Sequence, residues 1–244
     1  MKLQSLIDNV QFLPLGLFLV KSRAIIISDL HIGFEDMLSK SGVQLPRNSY
    51  PSMKATLEEY ISLLDPKVII LNGDIKEYLS NLSFQESMEL VDFINFLRVK
   101  KLDVKFIRGN HDNFLFKFVE REEIDFYDDY LEIDNCFITH GHMNLIDEIA
   151  NSPAEVVVLG HEHASIVVGS GGSNYKFKVI AEADLLDKKV LVLPAFSPIK
   201  AGCEFNVKDQ TFLSPILKRA DNFRYHLFEE DEWFTFEHKD IILK

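Results

Sequence analysis

Cysteine is almost missing from this 244-residue chain: Cys136 and Cys203 are the only two. That is too few for the disulfide framework of a small secreted domain, so a reducing cytoplasm is the expected compartment, with both thiols in apolar surroundings. Basic side chains are scarce relative to acidic ones, 26 lysines and arginines against 38 aspartates and glutamates, for a formal net charge of −12. Affinity for a long nucleic-acid backbone comes mainly from basic groups replacing counterions, so a broad basic groove is not expected, and nucleic acid is not the favoured partner. Long hydrophobic runs are also lacking. The stretch from Phe12 to Val20 contains Pro14 and Gly16 and is too short to span a bilayer. It is read as a pair of strands leading through Lys21, Ser22 and Arg23 into the next apolar run, and no membrane partner is expected.

An apolar share of 47% and a charged share of 26% are those of an ordinary soluble globule, and the length suits one α/β domain over residues 1–244. The first half alternates in character. Helices are predicted at Phe34–Lys40, at Pro51–Leu64, where Met53, Leu57, Tyr60, Ile61 and Leu64 recur at helical spacing, and at Phe84–Arg98. The apolar runs between them imply a parallel sheet with helical crossovers. From His163 onward the pattern becomes strands and turns: Ile166–Val168, Phe177–Ile180, Val190–Leu193, Arg224–Phe228 and Trp233–Phe236, with a hairpin tip at Gly169–Asn174.

Five polar strings each stand directly behind a short apolar run. They are Ser28-Asp29-Leu30-His31, Asn72-Gly73-Asp74, Gly109-Asn110-His111-Asp112, Thr139-His140-Gly141-His142 and Gly160-His161-Glu162-His163. The runs before them, such as Ala24–Ile27, Val68–Leu71 and Val156–Leu159, are the signature of strands buried on both faces. Ligands of open α/β sheets bind at the carboxyl ends of strands, so five such ends side by side can bring their side chains to one point. Carboxylate, amide and imidazole groups without thiolate suit Mn²⁺, Fe²⁺ or Zn²⁺ held by oxygen and nitrogen. Nothing in the strings suggests a structural zinc.

In their order and content these strings resemble the calcineurin-like metallophosphoesterase superfamily, whose pattern runs Asp-x-His, Gly-Asp, Gly-Asn-His-Asp/Glu, His, Gly-His-x-His. The motifs span residues 24 to about 163. A narrower likeness, to compact archaeal phosphoesterases related to SbcD-type nucleases and to bacterial ligase-associated phosphoesterases, rests on three further groups. These are Asp29–Gly33 with Glu35 and Leu45-Pro46-Arg47, then Pro194–Pro198, then Ser214–Leu217. The resemblance implies a four-layer α-β-β-α sandwich with mixed sheets, and a hydrolase using two divalent metal ions, most naturally Mn²⁺, with Fe²⁺, Zn²⁺, Ni²⁺ or Mg²⁺ as alternatives.

Carried over position by position, the resemblance gives Asp29, His31 and His163 to the first metal and Asn110, His140 and His161 to the second, with Asp74 bridging them. A shared carboxylate is expected physically, because two cations about 3.5–4 Å apart repel, and a water activated between them is the implied nucleophile. His111 is the motif histidine that the family does not assign to metal. Beside Asp112 it reads as a general acid whose ring is fixed by that carboxylate. His142, two residues past His140, could face the same cavity as an alternative to His140 or as an additional pocket group.

Arg47, Lys76 and Arg108 lie near motifs and could grip a phosphate, although most such cations are simply solvated. Glu35 and Glu77 read equally as partners of metal-bound histidines or as loop acids. Phe114, Leu115, Phe116 and Phe118 fit core packing, with base stacking as the alternative. His226 and His238 stand in distal strands without a motif and read as surface or structural. The expected substrate is a small-molecule or short-nucleotide phosphoester. The alternatives are an SbcD-like DNA nuclease and a metal-binding module that docks on a DNA-repair partner.

Overall fold

The structure is a computed structural model that describes residues 4–170 and 172–242. Its first sheet has seven strands lying side by side in chain order: β1 (Gln4–Ile7), β2 (Val10–Leu13), β3 (Gly16–Leu19), β4 (Ala24–Ile27), β5 (Val68–Asn72), β6 (Asp103–Ile107) and β7 (Asp125–Tyr127). The opening strands form an antiparallel meander, and from β4 onward the pairing is parallel. Parallel neighbours need crossovers. Two of these are helical, through α1 (Phe34–Lys40) and α2 (Ser49–Leu64) and then through α3 (Phe84–Val99), and the short α4 (Phe116–Arg121) leads into β7.

The second sheet is also mixed. It takes β8 (Leu131–Ile133), β9 (Cys136–Ile138) and β10 (Val156–Leu159), with the short α5 (Ile146–Asn151) between the last two. The chain then leaves for a small hairpin, β11 (Ala164–Ser170) and β12 (Ser173–Lys178), before returning as β13 (Ile180–Leu185) and β14 (Lys188–Val192). After β15 (Cys203–Glu204), which pairs with the hairpin, it ends in β16 (Asp221–Glu229), β17 (Glu232–Glu237) and α6 (His238–Ile241). The sheet order is β17-β16-β13-β14-β10-β9-β8, with β14, β10 and β9 parallel.

Period-two alternation explains the layers. Ile25, Ile27, Ile69, Leu71 and Phe106 pack under the apolar stripe Leu90, Phe93, Ile94 and Leu97 of α3 and under Met53 and Leu57 of α2. Their neighbours Ala24, Ile26, Ile70 and Ile107 face inward and meet Ile138, Val156, Val158 and Leu191 of the second sheet. Phe137, Val157, Leu159, Val190 and Val192 then face outward onto Ile146, Ile149, Leu217 and Ile166. The result is the four-layer α-β-β-α sandwich. Its outer layer on the second sheet is thin, with α5, a 3₁₀ turn at Leu217–Arg219 and the small β12-β11-β15 sheet sharing the cover.

Boundaries differ from the sequence reading where long-range bonds decide them. α2 begins at Ser49 rather than Pro51, because the Glu35 carboxylate accepts the Asn48 and Ser49 N–H groups at 3.0 and 2.8 Å and caps the helix from outside it. α3 starts at Phe84 as expected, fixed by a capping box in which Ser83 and Glu86 bond reciprocally. The run Phe177–Ile180 is not one strand. β12 ends at Lys178 and β13 begins at Ile180, as the chain steps from the small sheet to the large one. The predicted hairpin tip includes Gly171, outside the described residues; on either side of it Ser170 pairs with Ser173. Cys136 is buried, whereas Cys203 is half-buried, packed against the second core and accepting a bond from Gln210, so both have apolar surroundings but only the first is fully enclosed.

At the end of β12, Lys178 turns inward and donates to the carbonyls of Ala195 (2.7 Å) and Ser197 (2.5 Å). Those residues belong to the loop whose Phe196 and Ser197 N–H groups bond the carbonyls of Ser28 and Asp29. Burial disfavours the ammonium and lowers its pKa from 10.5 to about 8. The unfolded chain therefore holds this proton over a window in which the folded chain has released it, and stability rises with pH there. Between about pH 8 and pH 10.5, the unfolding free energy of the wild type should climb relative to that of Lys178→Met, as read by urea denaturation. Parallel curves for the two proteins across that window would contradict the buried-ammonium account.

Candidate metal centre

β4, β5 and β6 of the first sheet and β9 and β10 of the second end at one place, and each of the five strings stands just beyond one of those ends. The turns are cross-linked: the N–H groups of Asp29 and His31 donate to the carbonyls of Gly73 and Asp74 at 3.1 and 2.9 Å, and Ser28 Oγ donates to Asn72 O at 2.6 Å. Between the sheets, Asn72 Nδ2 donates to Thr139 O (3.0 Å), and the Asp29 carboxylate accepts the His161 N–H at 3.1 Å.

Five residues here have left-handed backbone although none is glycine: Asp29 (φ 59°), His31 (48°), Asp74 (49°), His161 (69°) and His163 (50°). This conformation costs a non-glycine residue free energy and persists only where surrounding bonds over-determine it, typically at functional sites. Two glycines are required by close approach. At Gly73 (φ 80°) a Cβ would strike the His140 ring, and at Gly160 it would strike Ser28 and Asp29.

Three groups of side chains converge, one of them His31, Glu77 and His111. Asp29, His31, Asp74 and His163 place ligand atoms together, as do Asp74, His140 and His161, and Asp74 belongs to both. Asp29 Oδ1 lies 3.1 Å from His163 Nε2, Asp74 Oδ1 lies 3.3 Å from His140 Nε2, and the Nε2 atoms of His31 and His163 face each other at 3.1 Å. Asp29, Asp74 and His140 are buried. Burial opposes ionisation of both carboxyls, but the surrounding imidazoles outweigh it and hold both below the usual carboxylate range, His163 leading at Asp29 and His140 at Asp74. Burial likewise opposes a proton on His140, yet Asp74 and then Asp29 hold that ring at about 9; at His161 burial dominates, helped by His140, and lowers the value to about 4.

The donor set fits divalent cations. Two buried carboxylates require positive charge, the ligand atoms are oxygen and nitrogen without thiolate, and Asn110 Oδ1 is buried without a hydrogen-bond partner. The outer bonds are those of metal-bound imidazoles, which donate their second nitrogen to a carboxylate or a carbonyl. His140 Nδ1 meets Asn72 O at 2.9 Å, and His31 Nδ1 meets Glu77 Oε2 at 2.7 Å.

The neighbouring residues sort themselves by contact. Glu77 supports a histidine, Glu35 caps a helix, and Lys76 is wholly buried, bonding the carbonyls of Tyr78, Ser80 and His111 rather than facing a ligand. Arg47 is exposed and bonds Gln85. Leu115 and Phe118 are core, while Phe114 and Phe116 are exposed. His226 is buried on Glu182 and Thr235, far from any motif. His142 packs beside the second group, its ring 5.4 Å from that of His140 and 6.1 Å from that of His161, and burial and then the His140 charge lower its pKa to about 4.

Asp112 does not hold the His111 ring as expected from their adjacency. Its Oδ1 accepts the N–H groups of Ile75 (3.0 Å) and Lys76 (3.4 Å) and its Oδ2 that of Gly109 (2.9 Å), so it braces the β5 and β6 turns against each other. Burial and the nearby Asp74 charge raise it to about 6. The His111 ring is oriented instead by the Glu77 carbonyl, 2.5 Å from Nδ1. Sequence reasoning also missed Lys200, which pairs with Glu77 at 2.9 Å over the Phe34 ring, and Glu162, which accepts the Ser214 N–H at 2.6 Å. No motif marks Lys200, and Glu162 stands in the fifth string only as the residue between its two histidines.

The calcineurin-like phosphoesterase family matches residues 22–193. Among solved structures, the nuclease MPE of Pseudomonas putida aligns with a TM-score of 0.64 and 18% identity over 93% of this chain and 94% of that one. Vacuolar protein sorting 29 of Cryptosporidium parvum (TM-score 0.38, 15% identity, 88% and 95% covered) and the E. coli phosphoesterase YfcE (0.37, 17%, 90% and 96%) are more distant. No curated protein matches the chain.

Because Asp74 belongs to both groups, its neutral amide variant should weaken both ends of the site at once. Asp74→Asn should bind less than one equivalent of Mn²⁺ by elemental analysis after gel filtration, where the wild type retains two. A wild type that never exceeds one equivalent would remove the shared-carboxylate arrangement.

Proposed function

The chain belongs to the calcineurin-like phosphoesterase family, and from that premise we propose that it is a two-metal phosphodiesterase acting on a small-molecule or short-nucleotide phosphoester. The observation that carries this reading is the pair of ligand groups joined at Asp74. In this reading Asp29, His31 and His163 would hold one cation and Asn110, His140 and His161 the other, with Asp74 shared between them. Divalent cations so placed supply Lewis acidity, an acidified water and neutralisation of phosphoryl charge; manganese is the ion expected to support most activity.

The protein's own part is orientation and proton transfer. Glu77 fixes His31 through its carboxylate and His111 through its carbonyl, so one residue sets both rings. Donation from His111 Nδ1–H to that carbonyl leaves Nε2 as the unprotonated nitrogen of the neutral ring, 3.8 Å from Asp74 Oδ2. Nε2 can therefore deliver a proton only from the imidazolium, which suits a general acid for a departing alkoxide. Asp112 contributes by locking the turns, not by touching substrate.

Manganese-loaded protein offered phosphomonoesters, cyclic nucleotides, linear dinucleotides and single-stranded DNA should turn over diesters, and no turnover on any of them with two metals bound would sink the enzyme reading. The acid role has its own signature. General acid catalysis typically supplies about 10² to 10⁴-fold, so His111→Gln should lose about that much on an alkyl ester and far less on a p-nitrophenyl ester, with metal content near wild type. Equal losses on both esters would leave His111 as a charge stabiliser only.

A further inference from the structure

On the side of the site where His140 and His161 converge, two groups have no role in the reaction as described. His142 Nδ1 is buried without a hydrogen-bond partner, on a ring within about 6 Å of two of the clustered histidines. A buried imidazole nitrogen left unsatisfied costs free energy, so it points to a polar atom that arrives from outside. Arg108, two residues before Asn110, reaches Asp129, whose carbonyl accepts the Thr139 hydroxyl at 2.8 Å, so its guanidinium lies at the head of the string that carries His142. Its side chain is partly exposed, and each of its contacts is long: Asp128 Oδ1 at 3.3 Å, Asp128 O and Asn113 Oδ1 at 3.4 Å, and Asp129 Oδ1 at 4.0 Å. Neither aspartate is buried, and such pairs contribute little. Arg108 therefore has no well-made partner in a chain whose net charge is −12.

We propose that Arg108 and His142 form an anion subsite beside the metal centre that takes a second phosphate group of the substrate, adjacent to the one being cleaved. This rests on the phosphodiesterase reading and narrows it: the preferred substrate is an oligonucleotide end that carries a terminal phosphate. A phosphate competes with Asp128 and Asp129 for the guanidinium and prevails because it can be gripped bidentately, while one of its oxygens satisfies His142 Nδ1. The scissile group goes to the metals and the neighbouring phosphate to this pair.

The test uses metal-loaded protein and three thymidine dinucleotides, one without a terminal phosphate, one with a 5′-phosphate and one with a 3′-phosphate, each linked through a slowly cleaved phosphorothioate. Calorimetric affinity should favour one of the two phosphorylated forms by about tenfold or more over the plain dinucleotide. Arg108→Gln and His142→Ala should each abolish that preference while retaining two metals by elemental analysis. Arg108→Lys should restore part of it, which a merely misfolded variant would not. Equal affinity for all three dinucleotides in the wild type, or an undiminished preference in Arg108→Gln, overturns the subsite. Loss of metal in His142→Ala would instead make that residue a ligand and also overturns it. Cleavage of the ordinary phosphodiester dinucleotides is scored separately, so a protein that binds with the predicted preference but cleaves none refutes the phosphodiesterase reading and leaves the subsite standing.

Discussion

Two carboxylates, Asp29 and Asp74, lie side by side with almost no access to solvent, and the rest of the site follows from that. A buried anion is tolerated only when paired. The groups packed around this pair are imidazoles, whose preferred state varies with position: His140 is held protonated to about pH 9 by the two carboxylates, while His161 is pushed down to about 4 by burial. That is an uneven and proton-dependent neutralisation. Divalent cations would bind the same carboxylates and the neutral form of the same rings, so metal binding and proton release are linked here.

Holding such a cluster requires the backbone to do what regular structure does not. A strand delivers a side chain to one face or the other, but convergence of Asp29, His31, Asp74, His161 and His163 needs the chain to turn back at each strand end, and all five take left-handed backbone to do so. Bonds between the turns help to meet the cost: β4 to β5 through Asp29 and His31, β5 to β6 through Asp112, and one sheet to the other through Asn72 and Asp29. The buried Lys76 and the half-buried Lys178 do similar work, clasping carbonyl oxygens of the loops that border the ligands.

Most of the architecture was legible because its signals are local. Runs such as Ala24–Ile27 and Val156–Val158 announce doubly buried strands, the stripe on α3 announces its helix, and the polar string behind each run announces a strand end. The misses are all long-range. Nothing near Ser49 says that α2 begins there, since the cap comes from Glu35. The split between β12 and β13 depends on which sheet each half joins, and the six-residue helices α4 and α5 are too short to carry a period. At the site, adjacency in sequence misled: Asp112 follows His111 but turns to backbone N–H groups, while the ring meets Glu77, 34 residues earlier. Lys200 lies outside every motif, and Glu162, although inside the fifth string, acts on Ser214, 52 residues later.

The site is also divided between the two sheets in a way that has consequences. The Asp29, His31, Asp74 and Asn110 turns come from the first sheet, the His140, His161 and His163 turns from the second, and Asn72 and Asp29 are where the two sets of turns touch. The two groups that share Asp74 therefore each draw on both sheets. A cation bound by either group would tie one sheet to the other at the open edge of the sandwich, above the apolar layer of Ile26, Ile70, Ile138 and Val158 that joins them below. Binding to the folded arrangement alone adds stability by mass action, so the catalytic ions would also serve as the upper clasp between two sheets whose strands end in strained turns.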